Sequence, residues 1–225
     1  TRGKGLPAVR LASVAMTSFR DACAQPGLSL TEVARAVDGS VSRAAGEEDF
    51  VTAVFAELDA NGWLQVVTCG HPPPLRLSAD GDLRALTPAA YATPLGLHPD
   101  IQSSTFTVYP GDRLVFYTDG LLEARDRAGQ FFRLEDCLDA LSQPDLEASA
   151  DELLSRLLAH ARRKLNDDVA LLLVEAISPG LWPDGDPAAG PAAYARGGSL
   201  AAGLSAGWKT PSTRSSAVPV FSRQC

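Results

Sequence analysis

Residues 49–74 read DFVTAVFAELDANGWLQVVTCGHPPP, and this stretch decides the class of fold. Two β-rich runs, Phe50 to Leu58 and Trp63 to Thr68, flank Asp59-Ala60-Asn61-Gly62. An Asn-Gly pair between such runs signals a β-hairpin. Upstream the period is helical. Leu30, Val33, Val37 and Val41 predict a helix from Leu30 to Ala44, with Ser29 and Thr31 as candidate N-caps. Before it, an apolar helix is expected from Leu6 to Cys23, with Pro7 tolerated in its first turn. Downstream come short strands at Leu75 to Ser78, Leu83 to Leu86 and Ser103 to Val108, then Arg113 to Thr118 after the turn Pro110-Gly111-Asp112. Helices return at Leu134 to Leu141 and Ala148 to Leu165, and Val169 to Glu175 closes as a buried strand. Helices and antiparallel strands grouped in blocks imply an α+β fold, with sheets covered by helices, rather than a regular βαβ alternation.

Composition bounds the function. The 225 residues are 45% hydrophobic and 21% charged, a globular balance. The formal charge of −7 argues against nucleic acid, whose phosphates reward clustered Lys and Arg. The longest apolar stretch, Val169 to Val174, is strand-sized, so no membrane association is expected. Cys23, Cys69, Cys137 and Cys225 lack metal-type spacing and suit the reduced thiols of a cytoplasmic chain. After Ala176 the sequence becomes rich in Gly, Pro, Ala and Ser. The reading is therefore a domain at 1–176 and a tail at 177–225 that is expected to be disordered. The tail holds four basic and two acidic residues, so the acidic excess lies in the domain.

Four features can carry chemistry. Asp119-Gly120 ends the apolar run Arg113 to Thr118, where a sheet would hold the carboxylate rigidly; it is also an ordinary turn dipeptide. Asn166-Asp167-Asp168 precedes the last strand, and two adjacent carboxylates there repel unless a cation or basic partner relieves them; a solvated loop is the alternative. If these two strand-terminal acidic sites lie side by side, they form a hard-oxygen site suited to Mg²⁺ or Mn²⁺. Gly70-His71-Pro72-Pro73-Pro74 sets a histidine at the start of an extended loop, where a structural hydrogen-bonding role is the simpler reading. Gly3-Lys4-Gly5 before a helix permits close backbone approach to an anion but lacks the Walker A pattern.

Taken in order, RGKGLPA, DFVTAVFAELD, GHPPPL, PLGL (Pro94 to Leu97), PGDRLVFYTDGLLEA and NDDVALLLV resemble the metal-dependent PPM-type serine/threonine phosphatases. The resemblance is to their bacterial SpoIIE and RsbU-like branch and covers residues 1 to about 176. It implies a β-sandwich of antiparallel sheets flanked by helix pairs. It also implies two Mn²⁺ or Mg²⁺ ions and hydrolysis of phosphoserine or phosphothreonine on a protein, typically an anti-sigma-factor antagonist. Carried over position by position, Asp119 and Asp167 become catalytic metal ligands and Asp168 their neighbour. Gly120 supplies the turn beside the metal, and His71 is structural.

Two departures from the family pattern stand out. Thr68-Cys69 replaces Asn-Ala before Gly-His, a change expected to alter packing. In the family's opening turn, shaped here by Gly3 and Gly5, an aspartate bridges both metals. This chain starts one residue after it, with Thr1 offering a backbone carbonyl to the metal. On this reading the chain lacks the bridging ligand and the family's N-terminal strands. A non-catalytic partner-binding module is therefore the alternative to a phosphatase. The Leu6 to Cys23 helix reads as core or as the seam of a homodimer, two alternatives that the sequence leaves open.

Overall fold

The computed structural model describes residues 6–46, 48–59, 61–162, 165, 168–177 and 216–222. Helix α1 (Leu6–Cys23) leads through a short turn to α2 (Leu30–Ala44). Of the two candidate caps, Ser29 takes the role. Its hydroxyl accepts from the Glu32 N–H (3.4 Å), and the Glu32 carboxylate accepts from the Ser29 N–H (2.8 Å), a reciprocal capping box.

The hairpin follows as β1 (Thr52–Leu58) and β2 (Trp63–Cys69), in register from Val54 opposite Thr68 to Leu58 opposite Leu64. The Asp59 carboxylate closes the loop by accepting from the Asn61 and Trp63 N–H groups (2.8 and 2.9 Å). Next come β3 (Leu75–Leu77), β4 (Leu83–Ala85), β5 (Ser104–Thr107), β6 (Arg113–Tyr117), β7 (Leu171–Glu175) and β8 (Ser216–Ser222). They form two sheets of antiparallel neighbours, ordered β5-β2-β1-β8 and β4-β3-β6-β7.

Strand alternation decides which side chains meet. On β1, Ala53 and Phe55 face α1 and α2, packing with Leu11, Ala15, Phe19, Val37 and Val41. Val54 and Ala56, beside Val66 of β2, face the other sheet and pack with Leu114 and Phe116 of β6. On β6, Val115 and Tyr117 point outward to Leu141, Leu153 and Leu157. The result is a helix–sheet–sheet–helix sandwich, as the grouping of elements implies. Helix α1 buries Leu11, Ala15, Phe19 and Ala22 in this core.

The helices after β6 differ from expectation. The expected helix Leu134 to Leu141 is a 3₁₀ turn, Leu134–Cys137, followed by α4 (Leu138–Leu141). Cys137, at φ −122° and ψ 24°, leaves helical geometry and makes the break, and the Arg113 guanidinium donates to the carbonyls of Leu141 and Gln143, both at 2.7 Å, where α4 ends. Helix α5 (Leu146–His160) starts earlier than expected because Asp145 caps it through the Ala148 N–H (2.7 Å). It ends short of Leu165, where Arg162 takes a left-handed φ of 50°.

Within the tail, where composition points to disorder, residues 216–222 instead form β8 along the whole of β1, from Thr52 opposite Ser222 to Leu58 opposite Ser216. The run Ala217-Val218-Pro219-Val220-Phe221 is β-prone apart from its proline. Pro219 is tolerated because β8 is an edge strand with one neighbour. The rest of the tail lies outside the described residues.

Candidate metal-phosphatase site

Four sequence motifs converge at one end of the sandwich, and main-chain bonds hold them there. Asp119 does not sit in a loose turn. It opens the short helix α3 (Asp119–Leu122) directly after β6, and its Oδ1 accepts from the Gly120 N–H (3.0 Å). Gly120 is buried inside that helical turn and is not among the glycines of positive φ, which corrects its expected role as a turn glycine.

Thr118, the residue before Asp119, stitches the second acidic motif to the first. Its N–H donates to the Ala170 carbonyl (3.1 Å), and its Oγ1 accepts from the Ala170 N–H (2.9 Å) and donates to the Asp168 carbonyl (3.2 Å). With Tyr117 opposite Leu171 in the β6–β7 register, the main chain at 168–170 runs beside Asp119. The two acidic strand ends therefore lie side by side in one sheet. Asp168 is exposed, whereas Thr1, Gly3, Gly5 and Asp167 lie outside the described residues.

The GHPPPL loop joins from the other sheet. Tyr117 donates its hydroxyl to the Pro73 carbonyl (3.1 Å), and burial pushes this phenol up to about 12. Gly70 has φ +65°, and a Cβ there would lie 2.5 Å from Pro94 Cγ, so only glycine lets the PLGL segment close over the loop. The Gly70 N–H donates to the Ala92 carbonyl (2.9 Å), and Leu95 exchanges both backbone bonds with Val51 (2.9 and 3.0 Å). Gly96, at φ +92°, donates its N–H to Asp38 of α2 (2.8 Å). PLGL thus ties helix, strand and loop into one frame.

His71 is 4% exposed. The Pro72 carbonyl, 2.8 Å away, can only accept, so Nδ1 carries the proton. Nε2 is then a buried lone pair with no hydrogen-bond partner. Burial holds the imidazole below its usual range, and hence neutral. Thr68 is likewise buried with an unpartnered Oγ1. Cys69 packs against α1 and α2 with its thiol pushed up to about 12 by burial, an inert core group.

Asp119, Gly120 and His71 border a cleft of about 830 Å³. Two of its walls lie outside the sequence motifs, exposed Tyr91 and Arg125, whose guanidinium carbon is 3.8 Å from the centre of the Phe131 ring, while Glu123 after α3 lies within PGDRLVFYTDGLLEA but was not singled out. The available sequence signal was the turn-type run Asp126-Arg127-Ala128-Gly129-Gln130 between Arg125 and Phe131. Asp119 offers a half-buried carboxylate at the cleft, a hard oxygen donor of the kind that Mg²⁺ and Mn²⁺ select, so the donor chemistry fits such an ion. Among the described residues no three His, Cys, Asp or Glu gather into a complete ligand set.

The fold and this site define the class: a PPM-type phosphatase sandwich with its acidic motifs at one end. Residues 1–177 match the family described as Stage II sporulation protein E (SpoIIE), and the chain belongs to that family. It is similar to the phosphoserine phosphatase RsbP of Bacillus subtilis, at 30% identity over 129 residues, covering 56% of this chain and 31% of that protein. It is similar to the structure of the RsbU and RsbW domains of Rv1364c from Mycobacterium tuberculosis, with 31% identity and a TM-score of 0.63. That likeness covers 79% of this chain and 51% of that one. The catalytic domain of the serine/threonine phosphatase PstP, solved with two manganese ions, shares the fold at 18% identity and a TM-score of 0.59, over 76% of this chain and 82% of that one. The chain spans about a fifth to a third of the length of the curated relatives it matches, and about half of the Rv1364c chain.

Proposed function

We infer that this chain is the catalytic module of a phosphatase acting on phosphoserine or phosphothreonine in a regulatory protein of the anti-sigma-factor-antagonist type, in the cytoplasm. The observation that carries this reading is the half-buried Asp119, beside the main chain of 168–170, on the wall of a cleft wide enough for a phosphorylated side chain. The family membership and the likeness to RsbP support it. In this reading Asp119 and Asp167 hold a pair of divalent cations, Mn²⁺ or Mg²⁺, with the Thr1 carbonyl, while Gly3 and Gly5 shape the adjoining turn. Such ions, when bound, acidify water and neutralise phosphoryl charge.

The protein's own part is positional. Thr118 clamps the two acidic strand ends together, Tyr117 and Gly70 hold the GHPPPL loop, and His71 supports the cleft wall as a neutral group. The net reaction adds water to phosphorus and breaks the P–O ester bond. The serine or threonine hydroxyl leaves with a proton, and inorganic phosphate is the other product.

The test is phosphate release from a phosphoserine protein with Mn²⁺ and with a chelator. Release that stops with the chelator, and that falls about a hundredfold or more in Asp119→Asn, is the expected result. Partner binding with no release in any metal would favour a non-catalytic module instead.

A further inference from the structure

The cleft contains one device that holding a metal does not require. Residues 125–131 form a closed loop whose stem is the Arg125–Phe131 bridge. The Asp126 carboxylate accepts from the Ala128 and Gln130 N–H groups (2.8 and 2.9 Å), and the Asp126 N–H donates to the Gln130 carbonyl (3.0 Å). The same carbonyl accepts from His160 Nε2 at the end of α5 (3.0 Å), and the His160 ring meets Phe132 edge-on with centroids 5.4 Å apart. The loop is thereby fastened to the body of the domain.

What this loop presents is an exposed arginine laid on a half-exposed phenyl ring. Phe131 is 50% exposed, so its ring contributes little to the core. It does fix the orientation of the Arg125 guanidinium, which spends one donor on the Gly129 carbonyl (3.3 Å). Further N–H groups remain to meet an oxyanion in forked geometry. Tyr91, 71% exposed, stands on the segment that the Ala92–Gly70 bond pins to the end of β2. Glu123, in the same cleft, repels acid on its own side. A cationic fork and two exposed aromatic side chains thus adjoin the carboxylate site of a chain whose overall charge is −7.

We propose that Arg125, held on Phe131, is a specificity-determining residue that pairs with a carboxylate flanking the phosphorylated residue of the substrate, whose chain lies against Tyr91. This rests on the phosphatase reading for the direction in which the substrate enters, yet binding tests it apart from hydrolysis. The full chain, with Mn²⁺, is titrated with fluorescent phosphoserine peptides that carry Asp, Asn or Lys beside the phosphoserine. The Asp peptide is expected to bind about two- to fivefold more tightly than the Asn peptide, as for a partly exposed ion pair. The preference disappears in Arg125→Ala, persists in part in Arg125→Lys and turns toward the Lys peptide in Arg125→Glu.

Equal weakening of all peptides in Arg125→Ala would mean that the arginine holds the phosphoryl group, and overturns the proposal. An unchanged Asp-to-Asn ratio in that variant, or no binding of any peptide, also overturns it. Phosphate release is followed on the same peptides. An Arg125-dependent preference without release sinks the hydrolysis reading and leaves the proposal standing, whereas release without that preference does the reverse.

Discussion

Gly70 and His71 are neighbours with opposite lessons. At Gly70 a side chain meets both a strained backbone and the Pro94 ring, so Gly70→Ala should destabilise the fold by about 1–3 kcal/mol, read as a lower urea midpoint. His71 is lodged as a neutral imidazole because burial disfavours its charged form, and its pKa in the folded chain lies below the ordinary 6.5. The unfolded chain therefore takes up this proton first as pH falls. Stability from this group is complete above about 6.5 and declines as pH drops below it toward the folded value. His71→Asn should flatten that part of the acid slope, checked by urea midpoints at closely spaced pH values from neutral down to mildly acidic. Both residues stand in the motif GHPPPL. The need for glycine there comes from Pro94, more than twenty positions along the chain, a contact that local sequence does not announce.

At the scale of elements, the sequence offered Ser29 and Thr31 as caps of α2, and the structure takes Ser29, with Glu32 three residues on completing a capping box. Ser29→Ala should cost about 1 kcal/mol, measurable by chemical denaturation, because it leaves the Glu32 N–H without its side-chain acceptor. Strands β1, β2 and β6 were legible because their β-rich runs end at turn residues. The end of α5 and the break between the 3₁₀ turn and α4 were not. Both rest on single backbone departures from helical geometry that local propensity does not announce: Cys137, at φ −122° and ψ 24°, in one case, and the left-handed Arg162 in the other. The helical setting of Asp119 escaped in the same way, because Asp-Gly after a strand reads locally as a turn.

For the molecule as a whole, β8 matters most. It covers the edge of β1, and an uncovered edge strand offers unpaired N–H and C=O groups to another chain. A chain ending at Ile177 should therefore associate through β1 in a concentration-dependent way, detectable by light scattering, with faster amide exchange across residues 52–58 at low concentration. A monomer at all concentrations with unchanged exchange would count against this role for β8.

The sequence by itself determined the order of α1, α2 and strands β1 to β7, the antiparallel hairpin, and the acidic motifs at the ends of two strands. Periodicity, turn chemistry and capping act over a few residues and are written locally. Only the tertiary structure decided that Thr118 bonds residues 168 and 170, that Pro94 closes on Gly70, and that Arg125 and Tyr91 share a cleft with Asp119. Those contacts join distant stretches of chain, and they form only when two sheets pack face to face and bring their strand ends to the same side.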